Sequence, residues 1–218
     1  KIFTLDFADV DFAEHQALRR SWWEAIGARV PRIELQPRSL DPDRRIVVGY
    51  VSSDFRDHSA AMTFKPLLRH HDRAAFEVIC YSCAAVRDHV TEDCKSFADR
   101  WVDAWQLSDR ELADRIQSDG VDILVDLSGH TDGNRLGVFA AKPAPIQATG
   151  WGHVTGTGLA TMDYLFADPV LVPDNARHLF AEKVYDLPCL ITLEPPPQLP
   201  PSPLPMLRNG HVTFGVFN

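Results

Sequence analysis

The chain has 218 residues, of which 45% are hydrophobic and 24% are charged, and its formal net charge at pH 7 is −8. This composition is typical of a globular domain with a buried core, and it offers no overall positive charge to nucleic acid or to anionic lipid. The sequence has no continuous apolar run of the roughly 20 residues that span a bilayer, and no apolar leader follows its start. We therefore expect a soluble cytoplasmic protein that binds neither nucleic acid nor a membrane.

The four cysteines lie at positions 80, 83, 94 and 189. They are too few and too irregularly spaced for a disulfide framework, so we expect free thiols in a reducing compartment. Cys80 and Cys83 have the spacing of a redox or zinc pair, but an offset of three residues in a strand places two side chains on opposite faces. No second pair completes a zinc site, and we expect no bound metal.

The first residues predict a helix that precedes the main fold. Aromatic and aliphatic residues recur at helical spacing between residues 10 and 29, and Pro31 follows. A polar linker then leads to an apolar run at 45–52, which is typical of a strand covered on both faces. We therefore expect residues 1–30 to form a helical lead-in and residues 45–187 to form the main domain.

From residue 45 onward, strand and helix patterns alternate. Strands are predicted at 45–52, 76–81, 101–105, 121–127, 146–149 and 162–166, and helices at 61–71, 88–98, 108–118 and 134–141. This alternation predicts an α/β fold with a Rossmann-like parallel sheet and helices on both faces. In such folds ligands bind at the carboxyl ends of the strands, and the candidate residues are sought there.

Proline dominates the segment after this domain, since eight of the sixteen prolines lie between residues 188 and 205. We expect residues 188–210 to form an extended, irregular connector rather than a helix or a sheet. The pattern of residues 211–218 is that of a strand. We expect it to open a second lobe that is missing from this chain.

The loop at 52–58 follows the first predicted core strand. It lacks the glycines that a dinucleotide pyrophosphate requires, but it places His58 beside Asp54 and Asp57. A histidine titrates near neutral pH and is suited to proton transfer. The alternative interpretation is that one of the two aspartates caps the next helix and that His58 is an ordinary polar loop residue.

The loop at 128–134 also follows a predicted buried strand, and it combines two glycines with His130, Thr131 and Asn134. Such a loop can bring hydrogen-bonding groups and backbone amides close to a polar ligand. It is equally compatible with a glycine-rich turn and a helix cap. Because this loop and the loop at 52–58 follow neighbouring strands, we expect both histidines to face one crevice.

The loop at 150–158 has four glycines in nine residues and carries His153. Its backbone amides are suited to cradling a sugar or a phosphate. It is not a P-loop, because the Gly-Lys-Ser/Thr ending is absent. A flexible surface loop is the alternative interpretation.

Five motifs follow one another in the chain: VGYVSSDFRDH at 48–58, FEVICYS at 76–82, DGVDILVDLSGHT at 119–131, PAPIQ at 143–147 and MDY at 162–164. In this order they resemble the catalytic region of the O-linked N-acetylglucosamine transferase and SPINDLY family, over residues 45–218. Residues 1–30 are similar to the helical stretch that joins the tetratricopeptide repeats to the catalytic lobes of that family.

The resemblance implies a GT-B architecture, in which two Rossmann-like lobes face each other across a cleft and the C-terminal lobe holds most of the nucleotide-sugar. This chain is then the N-terminal lobe. The implied reaction transfers N-acetylglucosamine from UDP-GlcNAc, or fucose from GDP-fucose, to Ser or Thr hydroxyls with inversion and without a metal or other cofactor. The implied partners are protein acceptors, the nucleotide-sugar, the C-terminal lobe and the upstream tetratricopeptide repeats.

The resemblance matches His58, His130 and Thr131 to residues of the cleft. We assign catalytic roles to His58 and His130, and substrate-binding roles to Asp54, Thr131, Asn134, His153, Thr157 and Gly158. The loop WGHVTGTG at 151–158 departs from the Trp-Leu-Gly-Tyr-Pro-Gly-Thr-Thr-Gly that is common in relatives, since it is one residue shorter and has His for Tyr. This departure keeps open the alternative of a non-catalytic protein-binding member of the family. A GT-B-like sugar-nucleotide epimerase, which has a similar two-lobed shape, is a further alternative.

Overall fold

The computed structural model describes residues 2–5, 7–39, 41–194 and 202–215. Its strands are β1 (Ile46–Ser52), β2 (Phe76–Ser82), β3 (Arg100–Asp103), β4 (Ile123–Asp126), β5 (Ile146–Thr149), β6 (Tyr164–Ala167) and β7 (Lys183–Asp186). They form one sheet in the order β3-β2-β1-β4-β5-β6-β7, and all neighbouring strands run parallel. The predicted α/β class with a Rossmann-like parallel sheet is confirmed.

The helices are α1 (Ile2–Leu5), α2 (Phe12–Ala25), α3 (Ser59–Arg69), α4 (His89–Ser96), α5 (Asp109–Ser118), α6 (Leu136–Ala141) and α7 (Pro205–Asn209), with 3-10 turns at Gly27–Arg29 and Asp174–Leu179. α5 begins at a capping box, because the side chains of Ser108 and Glu111 each accept the backbone N–H of the other. None of the helices in the described ranges is long and apolar enough to cross a membrane.

The sheet packs against helices on both faces because successive strand side chains point in opposite directions. On the face covered by α3 and α4, Val48 and Tyr50 of β1 belong to the same cluster as Phe64. On the face covered by α5 and α6, Val51 belongs to the same cluster as Leu112. The core is therefore two apolar layers, and the carboxyl ends of β1, β2 and β4 are left to the loops that follow them.

The cysteines follow the same alternation. Cys80 belongs to the cluster on the α3 and α4 face, whereas Cys83 packs against the opposite cluster. The predicted separation of this pair is confirmed, and all four cysteines are free thiols.

Helix α2 is part of the domain, whereas the sequence predicts a lead-in that merely precedes it. Trp22 and Trp23 are partly buried against the cluster on the α5 and α6 face. The chain continues along this face, where the Ile33 amide donates to the Ala141 carbonyl at 2.8 Å. The boundary expected near residue 30 is therefore wrong, because residues on both sides of it pack against the same apolar cluster. Two large aromatic side chains need an apolar surface to cover them.

The proline-rich segment contains one helix that the sequence analysis excludes. α7 begins at Pro205 and ends before Gly210, which has a left-handed φ of 72°. Proline at the first helical position and glycine just after the last one both favour a helix here, so the expectation of an irregular segment is wrong for these residues. Residues 211–215 form no strand, since they pair with no other strand of the described chain, and residues 216–218 of the predicted strand 211–218 lie outside it.

Candidate functional site

A cavity of about 390 Å³ lies where β1, β2 and β4 end. Three short segments supply its polar and apolar walls: Ser53, Asp54, Arg56 and His58 after β1, Ala84–Val86 after β2, and Thr131–Gly133 after β4, with Phe3 of α1 at its edge. The Ser53 hydroxyl donates to the Asp132 carbonyl at 3.2 Å, which ties the first and third segments together. The cavity therefore unites Asp54, His58 and Thr131 of the predicted site.

His58 is itself the cap of α3, so neither Asp54 nor Asp57 has that role. Its Nδ1 accepts the backbone N–H of Ala60 at 3.2 Å. A neutral imidazole that accepts through Nδ1 carries its proton on Nε2. Since 38% of the side chain is exposed, the ring can offer this Nε2–H to a molecule in the cavity.

Asp54 lies beside the same ring, with Oδ1 3.7 Å from the His58 Nδ1. It is almost buried, and its Oδ1 accepts from the Arg56 guanidinium at 3.2 Å. Arg56 is thus a cavity cation whose charge is already paired.

The loop is also attached to α4 through Asp88, whose Oδ2 accepts the Asp57 N–H at 2.6 Å. This N–H holds the pKa of the Asp88 carboxyl below its ordinary value. Because Asp88 also caps α4 in a capping box, the loop and the helix have a fixed relative position.

The loop after β4 is organised by Asp126, a residue that the sequence analysis does not single out. Its buried carboxylate accepts the N–H groups of Ser128 and Gly129 at 3.1 and 2.9 Å, and the Thr149 hydroxyl at 2.7 Å. Burial raises the pKa of Asp126, although these three hydrogen bonds oppose the rise. The signal in the sequence is an acidic residue inside the apolar run of a predicted strand.

Thr131 and Asn134 stabilise the turn of this loop. The Thr131 hydroxyl donates to the Ser128 carbonyl at 2.8 Å, and the Asn134 amide donates to the Thr131 carbonyl at 2.7 Å. The Asn134 Oδ1 accepts the Leu136 N–H at 3.3 Å. Thr131 lines the cavity and Asn134 does not. The Asn134 contacts are those of a turn that precedes α6, whose N-cap position is Arg135.

His130 points away from the cavity of His58. Its Nε2 is 2.7 Å from the Thr157 carbonyl oxygen, and its ring meets the Trp22 ring edge-on at a centroid distance of 5.7 Å. A carbonyl only accepts, so Nε2 is protonated and Nδ1 is the basic nitrogen of the neutral ring. The loops of the two histidines are adjacent, as expected, but the two rings do not line one cavity.

Glu182, which is not among the predicted site residues, holds the loop at 150–158 through hydrogen bonds. One carboxylate oxygen, Oε1, accepts the amide and hydroxyl of Thr157 at 2.6 and 2.5 Å and the amide of Gly158 at 3.1 Å. Thr157 is fully buried and Glu182 is 4% exposed. The Thr157 hydroxyl is therefore already bound to Glu182. The substrate-binding roles of Thr157 and Gly158 stay predictions.

His153 lies on the outer half of this loop. Its Nδ1 is 2.7 Å from the Thr155 hydroxyl, and its ring meets Phe3 edge-on at 5.7 Å. Gly129 approaches it so closely that an added Cβ would lie 2.9 Å from the His153 Cβ. The loops at 128–134 and 150–158 are therefore in contact.

The described residues contain no cluster of three or more His, Cys, Asp or Glu that would hold a metal ion.

Known proteins are similar to this chain in sequence and in fold. The model of glycosyl transferase family 41 matches residues 30–191. A probable UDP-N-acetylglucosamine–peptide N-acetylglucosaminyltransferase SPINDLY from Arabidopsis thaliana is 37% identical over 208 residues, which cover 91% of this chain and 22% of that protein. A UDP-N-acetylglucosamine–peptide N-acetylglucosaminyltransferase from Caenorhabditis elegans is 33% identical over 163 residues, which cover 73% of this chain and 14% of that protein.

A solved structure of a mutant O-GlcNAc transferase from Thermobaculum terrenum matches the fold with a TM-score of 0.85 and 36% sequence identity. The match covers 92% of this chain and 39% of that chain. The chain thus spans about a fifth of the length of curated relatives such as the Arabidopsis protein.

Proposed function

Because the chain belongs to glycosyl transferase family 41, we propose that it is the N-terminal lobe of a GT-B protein O-glycosyltransferase. The proposed donor is UDP-GlcNAc, and the proposed acceptor is a Ser or Thr hydroxyl of a protein. The activities of the relatives and the match to a solved O-GlcNAc transferase support this proposal. A C-terminal lobe and upstream tetratricopeptide repeats are the proposed partners within a longer protein, and the four free thiols support a reducing, cytoplasmic location.

The observation that carries the proposal is the cavity at the carboxyl ends of β1, β2 and β4, with the His58 ring on its wall. In the transfer, the acceptor oxygen forms a bond to the anomeric carbon while the bond from that carbon to the diphosphate breaks. The electron pair leaves with UDP, and the hydroxyl proton must pass to a base. An imidazole is suited to this because it titrates near neutral pH.

The hydrogen bonds of His58 define what the ring does in each tautomer. With Nδ1 accepting from Ala60, Nε2 donates, and the ring binds the acceptor or a phosphate oxygen as a donor. To accept the hydroxyl proton at Nε2, the ring must instead carry its proton on Nδ1, which then faces the Asp54 carboxylate 3.7 Å away. Asp54 is therefore the group that favours the basic tautomer.

The proposal is tested with the full-length protein, tritiated UDP-GlcNAc and a library of Ser- and Thr-containing peptides. We expect His58→Ala to lower kcat at least about 100-fold, as is usual when a proton-transfer group is removed. The matched control is His178→Asn, an exposed histidine on the 3-10 turn before β7, which we expect to leave transfer unchanged. Equal turnover by His58→Ala and wild type would contradict a catalytic role for His58.

Parallel reactions separate the other functions. Transfer from GDP-fucose but not from UDP-GlcNAc would reassign the donor. Peptide binding without transfer from either donor would favour a non-catalytic binding protein. Conversion of UDP-GlcNAc without any acceptor would favour an epimerase.

A further inference from the structure

We propose that helix α2 positions the active-site loops, with Gln16 and Arg19 as positioning residues that hold the loop at 153–158 and indirectly orient His130. The inference rests on the proposed function for its kinetic consequence. Its structural consequence is independent of the reaction.

The first contacts join α2 to Thr155. The Gln16 side-chain amide donates to the Thr155 carbonyl at 2.8 Å, and the Arg19 guanidinium donates to the Thr155 hydroxyl at 2.6 Å. Gln16 is 1% exposed and Arg19 is completely buried. Two adjacent points of one loop residue, its carbonyl and its side chain, are thus fixed by one helix.

The end of the loop presses against the same helix. Gly158 has a φ of 76°, and an added Cβ there would lie 2.7 Å from the Arg19 Cβ. On its other side the Thr157–Gly158 backbone is bound by Glu182. The loop is therefore clamped between α2 and the residue that precedes β7.

A third contact extends from α2 to His130. Trp22 lies three residues beyond Arg19, and this spacing places both on one side of the helix. Its ring packs edge-on against His130, whose Nε2 donates to the Thr157 carbonyl at 2.7 Å. We therefore expect a shift of α2 to move the loop and the His130 ring together, because α2 is hydrogen-bonded to the loop and its Trp22 packs against the ring.

The chemistry of the contact favours positioning over simple packing. Burial of a guanidinium costs free energy that burial of an apolar side chain does not cost. In exchange, the guanidinium makes a directional hydrogen bond with a defined geometry. Loop residue Thr155 is only half-buried. The Thr155 side chain can therefore be changed without opening the core.

Hydrogen exchange measured by mass spectrometry on the full-length protein tests the structural part. We expect Gln16→Met, which keeps the size of the side chain and removes its donor, to raise amide exchange of residues 153–158 about tenfold or more. Exchange of β1 and β4 stays at the wild-type rate. Ser21→Ala is the matched control, because the Ser21 hydroxyl is exposed and donates only to the Ala17 carbonyl of the same helix.

Steady-state kinetics of the same variants test the consequence for the site. We expect Gln16→Met to raise KM for UDP-GlcNAc or for the peptide about tenfold while kcat changes less than about threefold, since the contact holds a loop and no reacting atom. If wild type transfers no sugar, the proposed function fails and the exchange data alone decide this inference.

Unchanged loop exchange in Gln16→Met overturns the inference. If exchange rises across the whole sheet, the decision passes to Thr155→Val, which deletes the hydroxyl on the loop side, and to Thr155→Ser, which keeps it. The same hydroxyl also contacts His153 Nδ1, so His153→Phe is the control for that contact. Faster loop exchange in Thr155→Val, with wild-type exchange in Thr155→Ser and in His153→Phe, supports the inference. Equally fast exchange in Thr155→Val and His153→Phe overturns it. Equal exchange in the two Thr155 variants overturns it.

Discussion

At the scale of the residue, His58 has two roles that compete for one nitrogen. Its Nδ1 caps α3 by accepting the Ala60 N–H, whereas the basic tautomer needs a proton on that nitrogen. Asparagine is a strong cap that does not titrate. Substitution of His58 by asparagine therefore separates the cap from the proton-transfer role.

We predict that His58→Asn in this chain stays within about 0.5 kcal/mol of the wild-type free energy of unfolding, while His58→Ala loses about 1 kcal/mol. Urea denaturation followed by circular dichroism measures both values. In the transfer assay, the two variants should lose activity equally. A more active His58→Asn would indicate that the cap, and not the imidazole, is what transfer requires.

The site residues that the sequence predicts lie in loops that directly follow apolar strands. Asp54 and His58 share one loop, and Thr131 meets them because β1 and β4 are adjacent strands. Glu182 gives no such signal, since it lies 25 positions after Thr157, which it binds, and outside every glycine-rich loop. Its role depends on tertiary packing, which sequence spacing does not encode.

At the scale of the element, β1 and β2 are predictable from their apolar runs, whereas β7 at one edge of the sheet is not. β1 and β2 lie within one residue of their predicted bounds because both are buried on two sides. β7 is missed because it is a four-residue edge strand whose only half-buried residue is Val184. The packing of α2 is missed because its contacts, Thr155 among them, lie more than a hundred residues away.

A second histidine with a distinct chemistry, His71, lies two residues after the end of α3. The His71 Nε2 is 2.7 Å from the Tyr50 hydroxyl of β1, and the ring packs against Phe76. Burial lowers the pKa of His71 below its ordinary 6.5, and Arg73 lowers it further while Asp99 opposes the shift. The neutral ring is therefore the form that joins α3 to the sheet.

The pKa of His71 predicts a loss of stability in acid. Between its lowered pKa in the folded protein and 6.5 in the unfolded chain, the unfolded state binds more protons, so stability falls as pH falls through this window. For one titrating proton this slope cannot exceed about 1.4 kcal/mol per pH unit. We predict a smaller loss between pH 7.5 and 5.5 in His71→Gln than in wild type, measured by urea denaturation. The exposed His70→Gln is the control, and equal slopes in wild type and His71→Gln would contradict the prediction.

At the scale of the whole molecule, charge limits what this lobe binds by itself. The chain has a formal charge of −8, and the cavity that holds His58 also contains Asp54 and Asp132. Its guanidinium, Arg56, is paired with Asp54. The His58 Nε2–H is one donor, but a nucleoside diphosphate carries several negative charges and needs more unpaired donors or cations than the described residues around this cavity supply.

We therefore predict that UDP and UDP-GlcNAc release no measurable heat when titrated into this chain alone at concentrations of about 100 µM, a range in which sites with a micromolar Kd saturate. Circular dichroism in the same buffer verifies that the chain is folded. The full-length protein is the positive control, because a second lobe would add the missing donors. Saturable micromolar binding to the chain alone would contradict the assignment of the nucleotide to another lobe. In that case Arg56→Gln locates the site: loss of binding would place the diphosphate in the His58 cavity, and unchanged binding would place it elsewhere on this chain.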